Sequence, residues 1–234
     1  MQHDHISTQF DAQLEQVRAS VLHMGGAVED QLSLAVKALE NGEMYLIERV
    51  LQTEHQVNSM QLELDQLCTN IIARRTPTAI DLRVLTMAVK SSSDLERIGD
   101  EAKKIVLMAR DFYKSGRSNI PHYAEIRRMS EIVVDMLRQA LDGFARLDSD
   151  VAPAIARRDL EVDDSFRAIL RELLTHMMED PRTISATLDI IFIAKALERA
   201  GDHAKNISEY VVYMIKGKDV RHLSADEIEQ VVKA

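Results

Sequence analysis

Glu96 and Asp100 stand four residues apart with Gly99 just before the second, and Glu198 and Asp202 repeat the pattern around Gly201. On a helix, that spacing puts both carboxylates of a pair on one face. Like charges so placed repel by a few tenths of a kcal/mol. A glycine inside a helix costs about 1 kcal/mol relative to alanine. Both costs occur twice in the chain, and a bound cation would offset the first directly. The missing Cβ would let another backbone or a hydrated ion come close.

The pairs sit inside a longer repeat. Leu95 to Ile105 and Leu197 to Ile207 are identical at eight of eleven positions. Such self-similarity points to one structural unit used twice. An offset of 105 matches Gln31-Leu32 with Met136-Leu137 and Ala35-Val36 with Ala140-Leu141, while the signature segments align at 102. The first offset also carries Glu54 and Asn58 onto Asp159 and Asp163. Each unit is therefore expected to face two oxygen-bearing pairs across a groove. The first set is Glu54, Asn58, Glu96 and Asp100; the second is Asp159, Asp163, Glu198 and Asp202. Oxygen donors suit Mg²⁺, Mn²⁺, Ca²⁺ or iron and disfavour structural zinc, and carboxylates can bridge several ions. The alternative is a solvated acidic face neutralised from within, with Arg97 pairing Glu101 and Lys103 serving Asp100. His203 reads as a surface histidine. Asn206 and Glu209 follow the second signature where Lys104 and Leu107 follow the first, which predicts a first site that is weaker or holds a different number of ions.

Long helices must position these groups. Apolar residues recur at three- and four-residue spacing, as in Val17, Val21, Met24 and Val28. The pattern predicts six helices, over Gln9–Asn41, Glu43–Arg75, Ala79–Lys114, Tyr123–Arg146, Asp150–Met178 and Thr183–Lys216. Pro77 and Pro181 precede the third and sixth, and Pro153 falls in the first turn of the fifth, where a missing N–H costs little. Pro121 marks a break from Ser115. Gly217 reads as a C-terminal cap, and Ser224-Ala225-Asp226-Glu227 as a capping box opening a short last helix. Asp81 suits the positive end of the third helix. Met24-Gly25-Gly26 marks a helix flaw or a close crossing. The fold expected is all-α: two tandem, pseudo-symmetric three-helix bundles over 1–116 and 117–216, with a tail over 217–234. Helices of about 30 residues run about 45 Å, so the molecule should be elongated.

Composition sets bounds. Abundant Leu, Ala, Glu and Arg with few glycines and prolines fits helices. A net charge of −9 argues against nucleic acid as partner. The lone Cys68 excludes a disulfide framework within one chain and a thiolate zinc site; it reads as a small buried hydrophobe. Met1 to His5 shows no secretory signal, and no apolar run reaches the roughly 18 residues a membrane span needs. A soluble cytoplasmic protein is expected.

The run Pro77-Thr78-Ala79-Ile80-Asp81-Leu82-Arg83, continuing to Asp94-Leu95-Glu96-Arg97-Ile98-Gly99-Asp100, resembles the signature of the PhoU family. Leu197 to Asp202, on through Asn206-Ile207-Ser208-Glu209, resembles that family's second copy, and the similarity extends over nearly the whole chain. The resemblance implies two similar three-helix bundles and a regulator that represses the phosphate-starvation response when phosphate is plentiful. It implies action between the ATPase subunit of the phosphate transporter and a membrane sensor histidine kinase, with contact to the membrane through those partners only. It implies a homodimer, and metal clusters at Glu96 with Asp100 and at Glu198 with Asp202. Glu54, Asn58, Asp159 and Asp163 follow as helix-two partners. The competing class is a carboxylate-bridged di-metal bundle enzyme. Such enzymes use Glu-x-x-His on facing helices, and the chain contains none. It also lacks the Gly-rich loop ending in Lys-Ser or Lys-Thr that NTP hydrolysis requires.

Overall fold

The computed structural model describes residues 8–116, 120 and 122–234. Pro121, most of the expected break around it, and the N-terminal residues read for a signal lie outside the described residues. The elements are α1 (Thr8–Asn41), α2 (Met44–Arg75), α3 (Ala79–Lys114), α4 (Tyr123–Arg146), α5 (Ala152–Glu179), α6 (Ile184–Lys216) and α7 (Ala225–Lys233). No strand occurs among the described residues.

The sequence periodicity becomes one buried stripe per helix. In α1, Val17, Val21, Met24, Val28, Leu32, Ala35 and Leu39 are all fully buried, on the 3.6-residue repeat. Helices α1, α2 and α3 pack on one another, and α4, α5 and α6 do the same. The two units join mainly through α3 against α6, with α1 touching α4. A single hydrophobic core runs through both units. Lys90 lies over the Tyr210 ring, Asp94 meets His203 and Glu101 meets Arg199, so α3 and α6 run antiparallel.

Gly25 resolves the Met24-Gly25-Gly26 question. A Cβ there would stand 2.4 Å from Leu141 Cδ2 of α4, whereas nothing lies within 4 Å of the Gly26 position. The dipeptide is a close crossing, and only its first glycine makes it.

Three predicted helix starts move inward, that of α2 by one residue to Met44 with Glu43 as its N-cap. The Asp148 carboxylate accepts from Asp150 N–H at 2.9 Å and holds that segment as a turn, so α5 begins at Ala152. Pro181–Thr183 forms a 3-10 turn whose first amides are capped by Asp180, with Arg182 N–H donating at 3.1 Å, so α6 begins at Ile184. Gly217 closes α6 at φ 67°, and Ser224 with Glu227 forms the expected box at α7. Asp81 does more than face a dipole. It is 5% exposed, and Thr78 donates to it from its hydroxyl at 2.6 Å and its amide at 3.2 Å. The helix α7 packs on α5 around Ile228 and Val232.

Candidate metal centres

Helices α2 and α3 bring the first set together. Glu54 is 1% exposed, which rules out a simple solvated face. Gln31 Nε2, from α1, donates to Glu54 Oε2 at 3.2 Å, and Asn58 Nδ2 donates to Glu54 Oε1 at 3.3 Å. Lys103 Nζ lies 3.7 Å from Glu54 and 4.0 Å from Asp100. Glu96 completes the group: partial burial, then the charges of Asp100 and Glu54, raise its pKa above the usual carboxylate value. Gly99 accounts for the close approach. A Cβ on it would lie 2.9 Å from Gln31 Oε1 and 3.1 Å from Glu54 Oε2.

Helices α5 and α6 assemble the second set. Asp159 is 5% exposed and accepts from Lys205 Nζ at 2.6 Å. Asp202 is exposed, yet its pKa is pushed up to about 6. Desolvation is the largest cause, followed by Asp159 and Glu198, against the lowering charge of Lys205 and with Asp163 adding to the rise. Glu198 Oε1 accepts from Lys195 Nζ at 2.5 Å. Asp163 lies 3.4 Å from Arg167. Burial opposes the charge of Lys205, and its hydrogen bond to Asp159 with the nearby carboxylates outweighs that, so its pKa stands above the ordinary value. Lys103 and Lys205 occupy equivalent places in the two signatures, so in each half an ammonium group already serves the helix-two carboxylate.

Three buried oxygens at these sites have no donor: Gln31 Oε1, Asn58 Oδ1 and Glu198 Oε2. A buried acceptor without a donor is costly, and a cation satisfies such oxygens where an N–H would be needed otherwise. Donor chemistry and unsatisfied oxygens thus fit a hard cation held by Glu54, Glu96 and Asp100, and another held by Asp159, Glu198 and Asp202. The acids do not form compact trios. Among the described residues, the group whose ligand atoms lie within 4.8 Å of one another is His122, Glu125 and Glu172, where α4 begins beside α5.

Four sequence expectations change. Glu101 is 2% exposed and pairs with Lys104 at 2.9 Å and Arg199 at 3.2 Å, not with Arg97, which is exposed. His203 lies in the α3–α6 seam: its Nδ1 is 2.6 Å from Asp94 Oδ1. Asn206 donates to the same oxygen at 3.2 Å. Glu209 lines a cavity of about 350 Å³ with Lys90, Tyr210, Tyr213, Asp219 and Arg221. Burial lifts its pKa to about 7. Asn206 is thus turned to the seam, while Glu209 lies near enough to Lys205 and Asp159 for their charges to act on it. Cys68 is fully buried as expected, its thiol pushed up to about 12 by burial and Asp65. Gln31 escaped the sequence reading, although it stands as an amide at a position the helical repeat makes apolar.

The sequence model of the family described as "PhoU domain" matches residues 21–109 and 126–211. The chain is 48% identical, over 94% of its length and 85% of the relative's, to the phosphate-specific transport system accessory protein PhoU homolog of Pseudomonas putida. It is 46% identical, over 98% of its length and 94% of the relative's, to the homolog from Pseudomonas aeruginosa. The crystal structure of PhoU from Pseudomonas aeruginosa superposes with a TM-score of 0.86 at 45% identity, covering 89% of this chain and all of that one.

Proposed function

The chain belongs to the PhoU family, and from that we propose that it is an accessory regulator of phosphate-specific transport. The carrying observation is the likeness to proteins so named across nearly the full chain, with both signature copies kept. In this reading the protein is not an enzyme. It acts in the cytoplasm as a metal-binding adaptor between the ATPase subunit of the phosphate transporter and a sensor histidine kinase, as a homodimer. Two things support the binding role: oxygen-lined acid grooves with unsatisfied oxygens, and long helices offering extended faces for partners. No described helix is long and apolar enough to cross a membrane, which agrees with membrane contact through partners. The test is deletion of the gene in its own host. Phosphate-starvation genes should switch on at high phosphate, and normal repression there would overturn the reading.

A further inference from the structure

Glu54 is held by two amides in the same way. Gln31 and Asn58 each direct an NH₂ at one of its carboxylate oxygens, and each leaves its own carbonyl oxygen without a donor. The orientation of Gln31 is fixed by its surroundings. Its nitrogen also faces Val50 O at 3.3 Å and Gly99 O at 3.4 Å, so the reverse rotamer would set an oxygen against three acceptors. Gln31 is fully buried. Its free oxygen comes to the notch left by Gly99, beside Glu54 Oε2.

The other half is built differently. The equivalents of Gln31 and Asn58 are Met136 and Asp163. A Cβ on Gly201 would meet Val133 and Val162 methyls at 3.6 Å and Met136 Cε at 3.8 Å. That notch is apolar and ordinary in its contacts, so the glycine repeats while the chemistry around it does not.

We propose that Gln31, from α1, is a further neutral oxygen ligand beside Asn58 at the cation site of the first half, giving the protein two unlike sites. The first combines three carboxylates (Glu54, Glu96, Asp100) with two amide oxygens. The second combines four carboxylates (Asp159, Asp163, Glu198, Asp202). Ligand charge sets the affinity of oxygen sites for hard cations, so the second is the tighter. This rests on the metal-binding reading given above.

Mn²⁺ titration of the full-length protein, followed by the EPR signal of the free ion, tests it. Glu198→Gln with Asp202→Asn disables the second half and isolates the first. In that background Gln31→Met, the residue its twin position already carries, should weaken Mn²⁺ by about 10-fold or more. Gln31→Asn, which keeps the amide but draws its oxygen back by one methylene, should weaken it too. Unchanged affinity in Gln31→Met, with an unchanged far-UV CD spectrum, overturns the proposal. So does a lack of Mn²⁺ uptake by the background variant when the wild type binds. Should Gln31→Met not fold, Gln31→Asn decides: affinity equal to the background variant's overturns the proposal. If the wild type itself takes up no Mn²⁺, the metal-binding reading falls first, and this inference with it.

Discussion

Asp94 of α3 and His203 of α6 meet at 2.6 Å, joining the two halves through a nearly buried acid. Asn206 donates to the same carboxylate oxygen. The Tyr210 phenol is raised in pKa by burial, then by Asp94, to which it also hydrogen-bonds. Asp94 is thus the shared acceptor of the seam. Asp94→Ala would strand three groups at once, and losing a buried charged acceptor costs about 2–4 kcal/mol. Urea denaturation should show that loss as a lower midpoint with one transition, since one core spans both units.

The two signature glycines should respond oppositely to alanine. Gly99→Ala sets a methyl 2.9 Å from Gln31 Oε1 and 3.1 Å from Glu54 Oε2. Relieving it means disturbing the bonds of a buried amide. Net destabilisation of about 1–2 kcal/mol is expected, despite the gain in helix propensity. Gly201→Ala meets only ordinary contacts and should be neutral or stabilising by up to about 1 kcal/mol. Thermal melts of the two variants side by side would show it, and equal shifts would contradict the asymmetry.

Stability should fall as pH rises through the range set by Glu209. Its folded pKa of about 7 stands above the ordinary 4.5, so the folded chain keeps a proton that the unfolded chain has released. That contribution is complete below about 4.5 and is lost as pH rises through about 7. Glu209→Gln should flatten this part of a stability-versus-pH curve measured by urea titration. An unchanged slope would mean that other groups set it.

Cation binding should stabilise the fold. At a free concentration 100 times the dissociation constant, one site adds about 2.7 kcal/mol, and EDTA should reverse the gain. Ligands must be deprotonated to bind, and Asp202 titrates at about 6. Uptake by the second half should therefore weaken as pH falls through about 6. Calorimetric titration at pH 7.5 and 5.5 would reveal the difference, and identical affinities would exclude Asp202 as a ligand.

Much of this architecture is legible in the chain. Helical periodicity gives α3 and α4 with the bounds found, because every third or fourth position is apolar and few breakers interrupt. The repeat offsets identify Glu54 with Asp159 and Glu96 with Glu198 as equivalent positions of the two units. Where local pattern gives out, the causes are tertiary. Arg199, one of the two partners of Glu101, and Asp94, the partner of His203, come from the opposite half, and neighbours on one helix cannot reveal a seam between units. Gln31 carried a faint sign, a polar amide paired by the offset with Met136. Its meaning depends on Gly99 and Glu54, which lie on two other helices. Asp180 and Asp148 reset helix starts through single side-chain caps that period counting does not register.

Helix α3 is at once a wall of one acidic groove and the surface on which the other half rests. Gly25 lets α1 close on Leu141 of α4, a second bearing between the halves. A load placed on Glu96 therefore falls on the same beam that carries the opposite half, and a change that prises α3 from α6 would open the core both halves share.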